Sequence, residues 1–290
     1  MRNSEFLKAS MPTFDIQHPE VREAVRRALE EDIGSGDITT NLTVPADRRA
    51  AGAFYAREHM ILAGVELLEL IYELQGGDVA VQLRKASGQT LWNGDCLARV
   101  QGPARTLLTC ERTALNFIQR LSAVATLANR YARALEGTQC KILDTRKTTP
   151  GLRRLEKMAA AMGGAKNHRM GLYDAILIKN NHIAAAGGVR PALEATLGQL
   201  VPVEIEVRTL AELDEALECG ATHLLLDNVM PDKAREWIRR VKGRATVEVS
   251  GGITPETVRA YAEAGADYVS AGAITHSARA MDINFRLTME

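Results

Sequence analysis

The chain has 290 residues, enough for one large or two medium-sized domains. Hydrophobic residues make up 46% of it and charged residues 25%, which is typical of a globular protein and argues against a disordered, collagen-like or coiled-coil chain. Because 36 basic and 36 acidic residues cancel, we expect no nucleic-acid partner, and no apolar run is long enough to cross a membrane.

The four cysteines, Cys96, Cys110, Cys140 and Cys219, are far apart and form no CxxC pair. We expect them to be reduced, as in a cytoplasmic protein. The N-terminus carries charges where a signal peptide would be apolar, and we expect residues 1–14 to form a flexible extension.

The N-terminal part mixes helical and strand patterns. The spacing of apolar residues predicts a helix over 20–31, and the glycines after it predict a turn through DIGSGDITT. Strand-like pieces and turns fill 48–105 around a helix near 65–75, which is typical of an α+β domain. A long helix, roughly 106–136, leads into the second part of the chain.

The second part alternates short apolar runs with helical patterns. The runs predict six buried strands, at 141–145, 175–179, 203–207, 223–227, 246–250 and 268–272. From the third strand onward the strand ends lie 21 to 23 residues apart, the spacing of strand–helix units in a parallel sheet. The fold class is therefore α/β, and six strands instead of eight predict an incomplete barrel of the TIM type.

Two of these strands alternate acids with apolar residues. In VEIEV, Glu204 and Glu206 share one face, and TVEVS repeats the pattern with Glu248 and Ser250. We expect the apolar faces to pack on helices and the acids to point into the barrel. Buried acids are costly unless they are paired, so we expect basic partners for them.

The segment from Lys141 to His182 is strongly basic, with nine lysines and arginines against three acids. Such a patch in a neutral protein favours a small polyanionic ligand. For Arg153, Arg154 and Lys157 we favour a simpler interpretation, as the solvated face of a helix whose other side is apolar.

Two motifs in this segment bring cations to strand ends. DTRKTTPG places Arg146 and Lys147 together on a loop after a strand, a pair that suits a carboxylate or a pyrophosphate. In GGAKNHRMGLYDAILIKNNH, His168 and Arg169 lie on a loop and Lys179 ends the next strand, so we expect His168 to contact an anion or the substrate.

Two further features lie at strand ends. Glu206 and Asp227 could hold a sugar diol or coordinate Mg²⁺ through oxygen. SGGIT at 250–254 and SAGAIT at 270–275 offer backbone N–H groups to a phosphate, where barrels commonly bind one. Together the features favour a phosphorylated ribose bearing pyrophosphate, with an acidic co-substrate.

The motifs resemble those of the quinolinate phosphoribosyltransferases, also called nicotinate-nucleotide pyrophosphorylases (carboxylating). The resemblance rests on ERTALNFIQRLSAVAT at 111–126, the segment 144–183, VEIEV, LLLDN at 224–228 and EVSGGI at 248–253. It implies the formation of nicotinate mononucleotide, pyrophosphate and CO₂ from quinolinate and phosphoribosyl pyrophosphate, with Mg²⁺, in NAD biosynthesis.

The resemblance also implies a domain organisation and an assembly. An N-terminal open-sandwich domain, 15–120, would precede the incomplete barrel, 121–279, and the segment 280–290 would return to the N-terminal domain. Subunits of the family dimerise so that the N-terminal domain of one covers the barrel mouth of the other. We therefore expect a homodimer in which Arg112 comes from the partner subunit.

Matched motif by motif, the resemblance assigns a role to each candidate residue. Quinolinate would be surrounded by Arg112, Arg146, His168, Arg169 and Lys179, and Lys147 would lie between quinolinate and the departing pyrophosphate. Glu206 and Asp227 would address the ribose hydroxyls and Mg²⁺, directly or through water. The 5′-phosphate would be held by Ser250, Gly251, Gly252, Ser270, Ala271 and Gly272.

Three alternatives stay open. A nicotinate phosphoribosyltransferase would bind one carboxylate, for which this many cations is an excess. A related protein of molybdate-transport operons shares the architecture. A non-catalytic sensor of phosphoribosyl metabolites would have no need for Lys147, Glu206 and Asp227 together.

Overall fold

A computed structural model describes residues 14–289, which divide into two compact units. The parallel unit contains 130–147 and 165–273. The antiparallel unit contains the described residues of 11–129 and 274–290 together with 148–164. Of the expected extension 1–14, residues 1–13 lie outside the described part, and Phe14 is buried.

The first half of the chain forms helices and antiparallel strands in alternation. Its elements are α1 (Pro19–Ile33), α2 (Ile38–Thr43), β1 (Arg49–Ala56), β2 (Met60–Ile61), α3 (Leu67–Leu74), β3 (Ala80–Leu83), β4 (Thr90–Leu91), β5 (Cys96–Pro103) and α4 (Ala104–Ala134).

The second half forms strand–helix units and a final strand. Its elements are β6 (Lys141–Leu143), α5 (Arg153–Met162), β7 (Ile176–Ile178), α6 (Asn180–Ala186), α7 (Val189–Glu194), β8 (Val203–Val207), α8 (Leu210–Glu218), β9 (His223–Asp227), α9 (Pro231–Val241), β10 (Thr246–Ser250), α10 (Val258–Ala264), β11 (Tyr268–Ser270), α11 (Ala273–His276) and β12 (Ile283–Met289).

The antiparallel unit is built on a four-stranded sheet of order β12-β1-β5-β3, so the C-terminal strand pairs with the first strand of the chain. Phe54 faces Phe285 across β1 and β12, with ring centroids 4.8 Å apart. A Cβ at Gly52 would come within 2.2 Å of the Phe285 ring, so this position of β1 has room only for glycine. The expected α+β composition of this part is confirmed.

The chain after α1 differs from the expected turn. Gly34, at φ +52°, ends α1, and a second helix, α2, begins four residues later. The Asp37 carboxylate caps α2 by accepting the backbone N–H of Thr40 at 2.9 Å. The DITT sequence is thus a helix start, which glycine-based turn rules alone do not reveal.

Helix α5 belongs to the antiparallel unit, and its middle is enclosed on all sides. Every residue from Leu155 to Ala160 is buried, including Lys157 with no exposed surface. The interpretation of Lys157 as part of a solvated face is therefore wrong, because packing surrounds this helix instead of covering one side. Arg154 also has a specific partner, since it forms an ion pair with Glu20 at 2.8 Å.

The parallel unit holds all six strands expected from the apolar runs, in one parallel sheet of order β6-β11-β10-β9-β8-β7. β6 and β7 lie at opposite ends of this order, so the sheet is the incomplete barrel that six strands predict. The register aligns Glu206 with Leu225 and Leu225 with Glu248, and therefore these side chains face the same side of the sheet. Within residues 14–289 no helix is long and apolar enough to cross a bilayer.

Candidate functional site

Three strands of the parallel unit end in polar side chains that meet. Asp227 and Ser250 are the last residues of β9 and β10, and Glu206 is the next to last of β8. Asp227 lies opposite Ser250 in the register. The Ser250 hydroxyl donates to Oδ1 of Asp227 at 3.0 Å. The carboxyl end of a parallel sheet thus carries two acids side by side, as the sequence predicts.

Arg208 lies against both acids. Its Nη2 is 3.0 Å from Oε1 of Glu206 and 3.7 Å from Oδ2 of Asp227. Its backbone N–H is fixed by the Glu212 carboxylate at 2.7 Å, at the start of α8. A half-exposed cation therefore offsets the charge of two acids whose oxygens are suited to Mg²⁺.

Asp227 is also held from the side of the following loop. Asn228 adopts a left-handed conformation, φ +56°, from which its side-chain amide donates to Oδ2 of Asp227 at 2.8 Å. A Cβ on Gly251 would lie 2.3 Å from the Asn228 side chain, so glycine is required there. Asn228 and Gly251 together fix the orientation of the Asp227 carboxylate.

The loop after α5 is anchored by Asp144, which is buried at the end of β6. Its carboxylate accepts the backbone N–H of His168 at 2.8 Å and the side-chain amide of Asn167 at 2.7 Å. Since Asp144 lies two residues before Arg146, one buried carboxylate positions both basic motifs recognised in the sequence.

Arg146 and Arg169 lie close together. Burial lowers the pKa of the Arg169 guanidinium, and the charge of Arg146 lowers it further. Nη1 of Arg169 donates to the carbonyl of Ala175 at 3.0 Å, which limits the rotation of the guanidinium. Two cations within electrostatic reach repel each other, and this repulsion favours the binding of an anion nearby.

Deeper in the same sheet, Glu204 and Glu248 face the imidazole of His168. Nε2 of His168 is 3.3 Å from Oε2 of Glu204 and 3.5 Å from Oε2 of Glu248. Burial raises the pKa of both carboxyls to about 8; the charges of Arg169 and Lys179 oppose this at Glu204, and the charge of Glu204 adds to it at Glu248. The expectation that these inward acids need a partner from the basic segment is met by His168.

The two glycine-bearing loops differ in what they leave available. Gly252 is exposed, and a Cβ there would meet nothing within 4 Å. By contrast Ala271 is buried, and its N–H donates to the carbonyl of Leu143 at 3.2 Å. Ser270 is also buried and hydrogen-bonds Glu248, while Gly272 directly precedes α11.

The remaining candidate residues are on the surface of the protein. Lys147 and Lys179 are exposed, and the charge of Lys179 reaches Glu204. Arg112 is exposed on α4 in the antiparallel unit. The structure thus brings most of the predicted residues to one edge of the parallel sheet and places Arg112 in the other unit.

Comparison with known proteins decides the family. The sequence profile of the quinolinate phosphoribosyl transferase N-terminal domain matches residues 37–122, and that of the C-terminal domain matches residues 124–286. The chain belongs to the quinolinate phosphoribosyltransferase family. The domain change at 122–124 falls within α4.

Individual members of the family are similar over nearly the whole chain. A probable nicotinate-nucleotide pyrophosphorylase [carboxylating] of Bacillus subtilis is 39% identical over 94% of this chain and 96% of its own length. A mitochondrial quinolinate phosphoribosyltransferase [decarboxylating] of Nicotiana tabacum is 38% identical over 96% of this chain and 84% of its own. The crystal structure of NadC from Streptococcus pyogenes superposes with a TM-score of 0.89, at 38% identity, over 93% of this chain and 97% of that one.

Sequence reasoning missed three residues that hold the site together. Arg208 follows Glu206 by two positions, and a cation so close to a strand-end acid was a usable signal. Asp144 was part of the DTRKTTPG motif, but only the structure shows that its carboxylate accepts the side-chain amide of Asn167 and the backbone N–H of His168. The left-handed conformation of Asn228 has no clear signal beyond the Asp-Asn pair.

Proposed function

We propose that the protein transfers the phosphoribosyl group of phosphoribosyl pyrophosphate to the ring nitrogen of quinolinate and releases CO₂, giving nicotinate mononucleotide for NAD biosynthesis. The anchoring of the 167–168 loop by Asp144 carries this proposal, because it brings Arg169 within electrostatic reach of Arg146, and two such cations suit a substrate with two carboxylates. The family of the chain and the names of its relatives in Bacillus and Nicotiana support it.

Quinolinate binding is assigned to the basic loops. Arg146 and Arg169 would take its carboxylates, with Lys179 nearby at the end of β7. His168 would act on quinolinate through the loop, since its side chain is largely buried and faces Glu204 and Glu248. Holding a dianion in a fixed orientation presents its ring nitrogen to the second substrate.

The transfer step separates charge in a way the strand ends can stabilise. As the ring nitrogen bonds to C1 of the ribose, the bond from C1 to pyrophosphate breaks, and C1 gains oxocarbenium character. The exposed cation Lys147, with Arg146, would stabilise the departing phosphates, and Glu206 with Asp227 would offset positive charge on the ribose. The carbon–carbon bond to the adjacent carboxylate then breaks, its electrons are accepted by the cationic ring, and a proton from water replaces CO₂.

Magnesium fits the acids at the ends of β8 and β9. Glu206 and Asp227 supply carboxylate oxygens, and their contacts with one Arg208 guanidinium indicate that the space beside them accepts a cation. The metal would supply charge for the pyrophosphate. Before it binds, the Arg208 guanidinium would offset the charge of the two carboxylates.

The 5′-phosphate is assigned to the loops after β10 and β11. Gly251 and Gly252 present backbone without side chains, at φ +102° and +63°, next to Ser250. Gly272 would contribute from the second loop. Ser270 and Ala271 would shape that loop from below, because both are buried and hydrogen-bonded inside the unit.

We further propose a homodimer in which Arg112 of the partner subunit completes the quinolinate site. Apolar residues on α2 support an interface, since Ile38 and Leu42 are one helical turn apart and 72% and 81% exposed. Sedimentation at decreasing concentration, with activity measured in parallel, tests this; a fully active monomer would contradict it.

The four cysteines favour a reducing, cytoplasmic location, because all of them are free, and Cys110 and Cys140 are buried.

Product formation from two acceptors tests the proposed reaction. Purified protein is incubated with phosphoribosyl pyrophosphate, Mg²⁺ and either quinolinate or nicotinate, and nicotinate mononucleotide is measured by chromatography. We expect turnover with quinolinate as the acceptor and none with nicotinate. Turnover with nicotinate alone would move the protein to the related phosphoribosyltransferase activity, and a folded protein inactive with both acceptors would reopen the molybdate-operon and sensor alternatives.

A further inference from the structure

Glu204 and Glu248, which face the buried imidazole of His168, have no assigned part in the reaction. The side chains of this cluster are at most 8% exposed, and three of its ligand-type atoms lie within 4.8 Å of one another. A histidine with two carboxylates is a set that could bind a metal ion. The hydrogen bonds of the imidazole decide between a metal site and a polar cluster.

The tautomer of His168 follows from its other ring nitrogen. Nδ1 accepts the backbone N–H of Arg169 at 2.7 Å, so its lone pair is in use. A neutral imidazole has one accepting and one proton-bearing nitrogen, and therefore Nε2 carries the proton. A metal ion would need the lone pair of Nε2, so this tautomer favours a polar cluster without a metal ion.

The two carboxyls complete this arrangement from the barrel side. Oε2 of Glu204 and Oε2 of Glu248 are buried, and neither has a hydrogen-bond partner that meets strict geometry in the described structure. Both atoms are aimed at Nε2 of His168, at 3.3 and 3.5 Å. Nε2–H therefore makes a close polar contact with both oxygens instead of a fully formed hydrogen bond, and in either protonation state each acid keeps an oxygen lone pair for it.

The imidazole transmits this anchoring to Arg169. Nδ1 of His168 fixes the Arg169 backbone, and the Ala175 carbonyl fixes one end of its guanidinium at 3.0 Å. On its other side the backbone of His168 is held by Asp144. The position of Arg169 in the loop is therefore set from both ends, through a histidine whose orientation depends on two acids beneath it.

We propose that Glu204 and Glu248 are positioning residues for the acceptor site: they hold His168 in the tautomer with Nε2 protonated, and through it they place Arg169 against a carboxylate of the acceptor. The proposal rests on the proposed function for the identity of that acceptor. The tautomer and the anchoring of the loop do not depend on it.

Paired substitutions separate hydrogen bonding from charge and size. Glu248→Gln and Glu248→Met both remove the charge at similar length, but only glutamine keeps an oxygen acceptor for Nε2–H. For Glu248→Met we expect the KM for quinolinate to rise about tenfold, as for the loss of one hydrogen bond, with the KM for phosphoribosyl pyrophosphate nearly unchanged. Glu248→Gln should restore most of the affinity. The same pair is made at Glu204.

The kinetic outcomes either support or overturn the proposal. Equal losses in the glutamine and methionine variants would show that charge or packing matters and not the acceptor, and would overturn it. A fall in kcat with unchanged KM for quinolinate would do the same.

A spectroscopic test measures the wild-type protein and uses a variant only to assign the signals. Protein labelled with ¹⁵N-histidine is studied by NMR, and the His168 signals are assigned by their loss in His168→Gln. We expect Nε2 to carry a proton and Nδ1 to carry none, unchanged on addition of Zn²⁺ alone. A proton on Nδ1, or displacement of the Nε2 proton by Zn²⁺, would overturn the proposal even if the protein were an active phosphoribosyltransferase. The expected tautomer in a protein inactive with quinolinate would contradict the proposed function alone.

Discussion

Two pairs of acids share one face of the parallel sheet and differ in their partners. Glu204 and Glu248 lie inside the strands, are buried, and face a neutral imidazole. Glu206 and Asp227 lie at the strand ends and face the Arg208 guanidinium. In our proposal, a step of two residues along β8 separates an acid that positions the protein from an acid that acts on a ligand.

The largest effect is expected at the strand ends. Glu206→Gln should lower kcat about 10²- to 10³-fold, as for the loss of one electrostatic contact to a transition state, with little change in thermal stability. Steady-state kinetics with both substrates measure this. The acid Asp232 on α9 provides a control, because Asp232→Asn removes an equal charge from a side chain that is 97% exposed. A near-normal kcat for Glu206→Gln would place this acid with the structural pair and remove the distinction.

The next largest effect concerns the basic side of the site. Arg169→Ala should raise the KM for quinolinate about 10- to 100-fold, the cost of one or two charged hydrogen bonds, while kcat falls less. Arg240→Ala is a matched control, since Arg240 pairs with Asp214 on the surface at 2.8 Å. A variant with unchanged KM and a lower kcat would show that Arg169 acts in the chemical step and not in binding.

Glu204 and Glu248 should affect how the stability of the protein depends on pH. Burial, and then the charge of Glu204, raises the pKa of Glu248 to about 8 from its ordinary value of 4.5. The folded state therefore holds the proton more tightly than the unfolded state, so this contribution to stability is complete below about pH 4.5 and is lost as the pH rises towards 8. As the pH rises from 5 to 8, the free energy of unfolding of Glu248→Gln should therefore increase relative to that of wild type by roughly 1–3 kcal/mol.

Urea denaturation at several pH values measures this difference. The Asp232→Asn variant should follow wild type at every pH, because its side chain is 97% exposed. A constant difference between Glu248→Gln and wild type from pH 5 to 8 would mean that Glu248 titrates as it does in water.

The smallest effect is expected at Arg208. If its guanidinium offsets Glu206 and Asp227 before a metal binds, Arg208→Gln should tighten Mn²⁺ binding to the free protein by up to about fivefold, the scale of a half-exposed ion pair. Electron paramagnetic resonance of free Mn²⁺ measures this without turnover. Weaker binding in the variant would show that Arg208 organises the two acids for the metal instead of competing with it.

Much of the fold follows from local patterns. The alternation in VEIEV and TVEVS, with the regular spacing of strand ends, was sufficient to predict six parallel strands and the inward acids. These features depend on the two-residue period of a strand, which any short stretch of sequence displays. The same reasoning found Glu206, Asp227 and Ser250 at neighbouring strand ends.

What could not be predicted depends on packing between distant segments. Lys157 is fully buried because α5 is enclosed in the antiparallel unit, although its local pattern has a polar side. The direction of the His168 ring depends on Asp144, Glu204 and Glu248, which come from three different strands or strand ends. A single sequence shows that such residues exist but does not show that they meet.

The stoichiometry of products tests the central claim most directly. Quinolinate labelled with ¹⁴C in the carboxylate next to the ring nitrogen is incubated with phosphoribosyl pyrophosphate, Mg²⁺ and the protein, and CO₂ and pyrophosphate are measured in the same reaction. The account predicts equal amounts of both, and neither product when one substrate is omitted. Pyrophosphate released without CO₂ would contradict it, because the strand-end acids would then serve a reaction in which quinolinate is not the acceptor.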